Sequence, residues 1–127
     1  MRPPLLIGPT VSLSQSSLFF GNVESGKSVT KLIYIENHSD VPSYYQIDAE
    51  VAGTFKLDNN LGVVAPHSSS HISVTFAPTE PANYHRRLVV VVKDRAPLAF
   101  DAVGTCFSDK RRPAPLVQSQ VDDYRAR

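Results

Sequence analysis

A chain of 127 residues is long enough to bury one core without disulfide staples, and it leaves room for short flanks. Hydrophobic residues make up 42% of it, charged residues 20%, and the net charge of +1 excludes a strong general attraction to nucleic acid or anionic membranes. Because Cys106 is the single cysteine, no intrachain disulfide can form, which favours a reducing compartment. The first ten residues are too short and too proline-broken for a signal peptide or membrane span, so we expect a cytoplasmic or cytoskeletal protein without a membrane span.

Short runs of β-branched and aromatic residues alternate with turn residues about every ten positions, and no sustained helical period occurs. This pattern predicts an all-β domain, either a sandwich or a barrel. We predict seven strands, of which the first is interrupted. In chain order they cover residues 11–13 with 18–20, then 29–36, 44–48, 54–57, 71–76, 84–92 and 98–105.

The predicted fifth strand has the clearest two-residue period. Ile72, Val74 and Phe76 alternate with small polar residues, so these three side chains should face the core. Phe76 is the last of them, and its ring is expected to fill the space between the sheets and to meet Phe20 or Phe55.

The ends of the chain differ in composition from its middle. Residues 1–9 are interpreted as an N-terminal flank and residues 10–107 as the sandwich domain. Residues 108–127 are polar, charged and proline-containing without an apolar period, which predicts a disordered tail or an interdomain linker. The basic residues at 110–112 make an acidic protein surface, such as that of tubulin, one candidate contact for this tail.

Several motifs follow one another in a family-specific order. They are Leu18-Phe19-Phe20-Gly21-Asn22-Val23, Glu36-Asn37-His38-Ser39, Phe55, Gly62-Val63-Val64-Ala65-Pro66, Ile72-x-Val74-x-Phe76-x-Pro78, Tyr84, Pro97-Leu98 and Val103-Gly104-Thr105. Over about residues 9–107 the chain resembles the ASH domain, named for the abnormal-spindle protein and hydin, within the major-sperm-protein and PapD-like group. The resemblance implies a seven-stranded immunoglobulin-like sandwich.

The same resemblance implies a role and a cellular setting. ASH domains are typical of cilia, flagella and centrosomes, so we expect a non-catalytic scaffold module at an axoneme, centrosome or basal body. Its partners would be axonemal, microtubule-associated or centrosomal proteins, with no cofactor and no small-molecule substrate.

Two other functions remain open. Related major-sperm-protein domains in membrane-tethering and trafficking proteins bind short acidic peptides through a basic face, and this chain is a candidate adaptor of that kind. It carries Asp48, Glu50 and Asp58 where such peptide readers look basic, so we expect no low-micromolar affinity for acidic peptides. The other alternative is a cryptic enzyme, which would need acids and bases clustered in a cleft.

The residues with reactive or metal-ligating side chains do not form a recognisable catalytic or metal site. His67 and His71 have ligand spacing for a helix, but Pro66 and the serines that follow predict a turn entering a strand. Ser68–Ser70 lack a nucleophile-elbow motif, and Cys106 has no basic helix terminus beside it. We therefore expect no enzyme activity, no metal and no cofactor.

Candidate interface residues are Tyr34, Tyr45 and Arg87. Tyr34 is out of phase with its apolar neighbours, and of two adjacent tyrosines on one strand only one can face the core. Arg86 and Arg87 should point to opposite faces of their strand, so they cannot make one basic patch, and nucleic-acid binding is not expected.

Overall fold

The computed structural model describes residues 10–48, 53–58 and 60–125, so the predicted flank at 1–9 lies outside it. The described chain is an all-β sandwich, as predicted, but it has nine strands rather than seven and one short helix. The elements are β1 (Val11–Leu13), β2 (Ser17–Glu24), β3 (Val29–Asn37), β4 (Ser43–Asp48), β5 (Phe55–Leu57), β6 (Leu61–Val64), β7 (Ser69–Phe76), β8 (Ala82–Val92), β9 (Leu98–Phe107) and α1 (Gln118–Arg125).

The strands form two facing sheets. The four-stranded sheet has the order β1-β3-β7-β5, and the five-stranded sheet has the order β2-β9-β8-β4-β6. All neighbouring strands are antiparallel except β2 and β9, which run parallel. The core lies between the sheets because alternate residues of each strand point to the same inner face.

An aromatic cluster occupies the middle of this core. Phe76 is fully buried, and its ring centroid lies 5.0 Å from that of Phe55 and 5.7 Å from that of Phe20. The predicted inward face of the strand is therefore confirmed, and Phe76 meets both expected partners. From the opposite sheet, Gly104 presents bare backbone to the ring, since a Cβ there would lie 2.4 Å from a ring carbon of Phe76.

The predicted interrupted first strand is two strands that belong to different sheets. β1 pairs with β3, whereas β2 pairs with β9, so the chain crosses between sheets at residues 14–16. Gly21 has a positive φ of 73° and lies at the register shift between Phe19 and Asn22. A bulge therefore lies at this glycine, after the change of sheet at residues 14–16.

The strand β6 is not among the seven predicted strands, which leave residues 58–70 without a strand. Gly62 lies opposite Tyr45 in the β4–β6 ladder. A Cβ at position 62 would lie 2.8 Å from the Tyr45 hydroxyl, so the glycine makes room for the tyrosine beneath this edge strand. Glycine inside a strand commonly marks such a close approach, and it weakens the strand signal in the sequence.

The C-terminal segment departs from the predicted tail or linker. It contains α1, and Val121 on this helix is only 1% exposed although it lies outside the inter-sheet cluster. The Asn83 side-chain amide donates to the Ala114 carbonyl at 2.8 Å. This bond places the segment over the outer face of the five-stranded sheet.

The outer face under this segment is buried, which is unusual for the outside of a sandwich. Asp101, Val103 and Thr105 point away from the core on β9, yet all three are buried. Asp101 lies 2.7 Å from His85 Nε2, and Thr105 donates to the Asn83 side-chain oxygen. Polar groups that are buried need such partners, so this half of the face is an internal surface of the domain.

Candidate protein-binding surface

The other half of the same outer face, formed by β4, β6 and β8, is open to solvent. Four large apolar side chains there are at least half exposed: Tyr44 at 54%, Leu61 at 63%, Val63 at 51% and Val91 at 50%. We call these four residues the outer apolar patch. Single exposed apolar residues are common on protein surfaces, but a contiguous group on one face indicates an interaction site.

The strand registers show that the patch is contiguous. Tyr44 lies directly opposite Val63, and Gln46 lies between Leu61 on one side and Val91 on the other. Paired residues on neighbouring strands have Cβ atoms about 5 Å apart, so these side chains touch or nearly touch. Three patch residues, Tyr44, Leu61 and Val91, line an open depression of about 330 Å³ together with Tyr45, Gln46, Gly62 and Lys93.

A lysine borders this surface. The Lys93 ammonium lies 5.8 Å from the centroid of the Tyr44 ring, within the range of a cation–π contact. This contact is exposed and weak, so the lysine remains available to a partner.

The two-residue period of the strands explains why apolar residues lie on this outer face of the sheet. Tyr45, Ile47, Val90 and Val92 are buried in the core, so their sequence neighbours must point outward. In β8 both sets are apolar because the strand contains four consecutive valines. Such a run is typical of a strand that is covered on both faces.

Of the three predicted interface residues, Tyr45 is placed in the core. It is 7% exposed, packs over Gly62, and burial raises the pKa of its phenol. The exposed tyrosine of the pair is Tyr44, because β4 pairs with β8 so that Tyr45 faces inward with Val92. Of the two tyrosines, Tyr44 is therefore the one exposed to solvent.

The other two predicted interface residues lie on different surfaces. Tyr34 is 43% exposed on the outer face of the four-stranded sheet, where its ring meets His71 edge-on at 6.4 Å. Arg87 is exposed on β8 and lies opposite Asp101, whereas Arg86 pairs with Ala102 on the inner side. The two arginines thus point to opposite faces, as predicted, and Tyr34 and Arg87 do not belong to one site.

The outer apolar patch was not predicted from the sequence, although its signal is present in part. The outward position of Val91 follows from the valine run, and Tyr44 is one of the two adjacent tyrosines of which only one can face the core. Leu61 and Val63 were not recognised because β6 was not predicted, and without β6 the patch has no third strand.

The histidines and the cysteine occupy structural positions. His67 lies in a turn with a φ of 54° and contacts Asp40, while His71 on β7 contacts Tyr34. Within residues 10–48, 53–58 and 60–125, no three metal-ligating side chains come together. Cys106 is buried, and burial raises the pKa of its thiol, which lowers its nucleophilicity.

Three carboxylates were expected to oppose acidic peptides. Asp58 is exposed just after β5, whereas Glu50 and the side chain of Asp48 lie outside what the structure describes. The expectation about acidic peptides therefore stays a prediction. No helix in the described part of the chain has the length and apolar character needed to cross a bilayer.

The comparison with known families shows to which family the chain belongs. The profile described as "CFAP65, fourth Ig-like domain" matches residues 17–110, which is most of the chain. The chain belongs to the family of the fourth Ig-like domain of CFAP65. This family assignment agrees with the nine-stranded sandwich and with the ASH-type motifs.

Relatives of this CFAP65 domain family come from distant organisms. Cilia- and flagella-associated protein 65 of Chlamydomonas reinhardtii is 39% identical over 123 residues, covering 95% of this chain and 6% of that protein. The protein of the same name from Mus musculus is 29% identical over 119 residues, covering 93% of the chain and 6% of the mouse protein. The chain thus spans about 6% of the length of the curated relatives it matches, and the ciliary and flagellar setting implied by the sequence motifs is confirmed.

Solved structures support the fold of the CFAP65 domain. The ASH/PapD-like domain 7 of human CEP192 superposes with a TM-score of 0.71 at 17% identity, covering 85% of this chain and 97% of that domain. WR4, a Caenorhabditis elegans member of the MSP family, superposes with a TM-score of 0.60 at 10% identity, covering 75% and 97%. At these identities the likeness establishes the shared ASH, MSP and PapD-like sandwich.

Proposed function

We propose that this domain is a non-catalytic scaffold module of a ciliary or flagellar protein, and that it binds another protein through the outer apolar patch. The observation that carries the proposal is the row of half-exposed Tyr44, Leu61, Val63 and Val91 across three neighbouring strands. Covering such apolar area provides the main favourable term in protein association.

The geometry of the patch suits a protein partner better than a small ligand. The depression of about 330 Å³ is open, and it lies on a flat sheet face instead of between domains. Tyr44 is the central aromatic residue and is bordered by Lys93, which matches the aromatic centre and polar rim of protein interfaces.

The nucleophile candidates support a non-catalytic role. Cys106 is buried with a raised pKa, and His85 and Asp101 are joined to each other beneath the C-terminal segment. Neither arrangement offers an accessible base beside a nucleophile, which covalent catalysis requires.

The proposal can be tested with a double variant of the patch in the full-length protein. Tyr44→Thr with Val91→Thr removes apolar area while keeping residues that favour strands. Proximity labelling in ciliated cells should then lose at least one axonemal neighbour that the unmodified protein labels. We expect the loss because truncating a central aromatic anchor typically weakens binding by about 2 kcal/mol or more, a factor of about 30.

The matched control is Leu32→Thr, which removes an apolar side chain of 41% exposure from the outer face of the other sheet. It should leave the labelled set unchanged. If the double variant labels the same proteins as the unmodified protein, the patch has no binding role. The same conclusion follows if Leu32→Thr loses the same labelled proteins as the double variant.

A further inference from the structure

The strand β6 is the outer strand of the five-stranded sheet, and its register shows which backbone groups it leaves free. The Ile47 N–H donates to the Asn60 carbonyl, and on the other side of β4 the Lys93 N–H donates to the Tyr44 carbonyl. In an antiparallel ladder, hydrogen-bonded pairs alternate with pairs whose N–H and C=O groups point away.

This alternation determines whether the backbone N–H and C=O groups of each β6 residue point towards β4 or towards the open edge. Gly62, which lies opposite Tyr45, directs its backbone groups into the ladder with β4. Leu61 and Val63 therefore direct their N–H and C=O groups away from β4, towards the open edge. Among the described residues, no strand lies beyond β6 in this sheet, so two donors and two acceptors face outward.

This edge lacks the protection that the edge strands β5 and β2 have. β5 carries Lys56 at its centre, and β2 is interrupted by the bulge at Gly21. The sequence of β6 is Leu-Gly-Val-Val, with no charge, no proline and no bulge. Natural sheets rarely leave an apolar edge bare unless something pairs with it.

We propose that the β6 edge receives an extended segment from elsewhere in the same polypeptide, which adds to the five-stranded sheet as a sixth strand. The proposal rests on the proposed function, in which the domain is a module of a longer protein. The free groups of Leu61 and Val63 require an extended backbone. Their outward side chains require apolar residues at alternate positions of the added strand, because neighbouring side chains on one face pack together.

The length of the relatives favours a segment of the same chain. This domain covers about 6% of each curated relative, so more than nine tenths of such a protein lies outside it. A segment tethered by a short flexible linker has an effective concentration in the millimolar range, which favours the weak pairing that a four-residue edge provides.

Amide hydrogen exchange in the purified full-length protein tests this pairing. The Gly62 amide is the internal reference, because it is bonded to β4 whether or not the edge is occupied. With an added strand, the Leu61 and Val63 amides should exchange within about tenfold of the Gly62 rate. With a bare edge they should exchange at least about 100-fold faster than Gly62, and the proposal would be overturned.

A pair of variants separates backbone pairing from side-chain contact. Val63→Pro removes an N–H that faces the open edge and breaks no bond to β4, whereas Val63→Ala shortens the side chain and keeps the N–H. In the full-length protein, Leu61 protection should fall about 100-fold with Val63→Pro and persist with Val63→Ala. If Leu61 protection fell equally in both variants, the protection would come from side-chain burial, and strand addition would be contradicted.

The source of the strand is settled by the same measurement with and without axonemal extract. Protection in the purified protein alone supports a segment of the same chain. Protection that arises only with the extract assigns the strand to another protein and overturns this proposal, while leaving the proposed binding function intact.

Discussion

Phe76 and Gly104 show how single residues determine this core. The Phe76 ring stacks on Phe55 and lies against the bare backbone of Gly104. The ring joins the two sheets because it projects from the four-stranded sheet and contacts a strand of the five-stranded one. Its inward orientation followed from the two-residue period, but the requirement for glycine opposite it could be seen only once the strands were paired.

Removing the Phe76 ring should cost a large part of the stability. We expect Phe76→Ala to lower the free energy of unfolding by roughly 3–5 kcal/mol, because the sheets cannot close around the cavity. Thr75→Ala is the control, since Thr75 points to the outer face and shares an exposed hydroxyl contact with Thr30. It should cost less than about 1 kcal/mol in urea melts. If Thr75→Ala were the more damaging change, the assigned faces of β7 would be inverted.

Adding a methyl group at position 104 should also be harmful. A Cβ there would lie within 2.7 Å of three ring carbons of Phe76, and a ring that is fully buried cannot move away easily. We expect Gly104→Ala to cost about 1–3 kcal/mol or more. Gly53→Ala is the matched control, because a Cβ there meets other atoms at 3.5 Å or more and should change stability by about 0.5 kcal/mol or less. Equal melting curves for the two variants would contradict the packing of Phe76 on Gly104.

The Cys106 thiol should react slowly in the folded protein. Its pKa is raised above the ordinary value, chiefly by burial, so the reactive thiolate is less populated at mildly alkaline pH than in a free cysteine. Iodoacetamide labelling at pH 8 should therefore be slow in buffer and rapid in denaturant. Rapid labelling of the folded chain would show that β9 opens readily near its end.

At the scale of elements, six predicted strands were correct, whereas β6, α1 and the division of the first strand were not predicted. The strands at 29–36, 44–48, 54–57, 71–76, 84–92 and 98–105 agree with β3, β4, β5, β7, β8 and β9 to within a few residues. The assignment of β1 and β2 to different sheets depends on tertiary pairing, which local sequence does not encode. The helix α1 was missed because one apolar pair, Val117 and Val121, is too little to define a helical period.

The helix α1 should contribute measurably to stability through Val121. Val121→Ala removes apolar volume from a site that is 1% exposed, and we expect it to cost about 1.5 kcal/mol. Val117→Ala is the control, since the same residue type one turn earlier is 55% exposed and should change stability by about 0.5 kcal/mol or less. Thermal denaturation compares them, and indistinguishable midpoints would show that α1 contributes little.

At the scale of the whole molecule, the two halves of the outer face of the five-stranded sheet differ in solvent exposure. Asp101, Val103 and Thr105 on the β9 half are buried, and Tyr44, Leu61, Val63 and Val91 on the β4–β6 half are exposed. The Asn83–Ala114 bond brings the C-terminal segment, for which composition predicted a tail, to the buried half. The candidate surface could be predicted only in part, because its extent depends on the pairing of β6 with β4.

The domain and its C-terminal segment should unfold together. Because Val121 on the segment is buried and Ala114 accepts a hydrogen bond from Asn83 of β8, we expect one cooperative transition in which far-ultraviolet circular dichroism and tyrosine fluorescence change at the same temperature. A separate earlier transition that removes only the helical signal would show that the segment is an independent unit.

The parallel pairing of β2 with β9 has a mechanical consequence. When the two ends of the domain are pulled apart, β1 and the C-terminal segment come off first, and the load then reaches the β2–β9 pair. Since these strands run in the same direction, opposite pulls make them slide past each other and strain their hydrogen bonds simultaneously. An antiparallel pair pulled from adjacent ends would instead unzip one bond at a time. We therefore expect the domain to resist extension from its ends more strongly than a sandwich whose terminal strands are antiparallel neighbours.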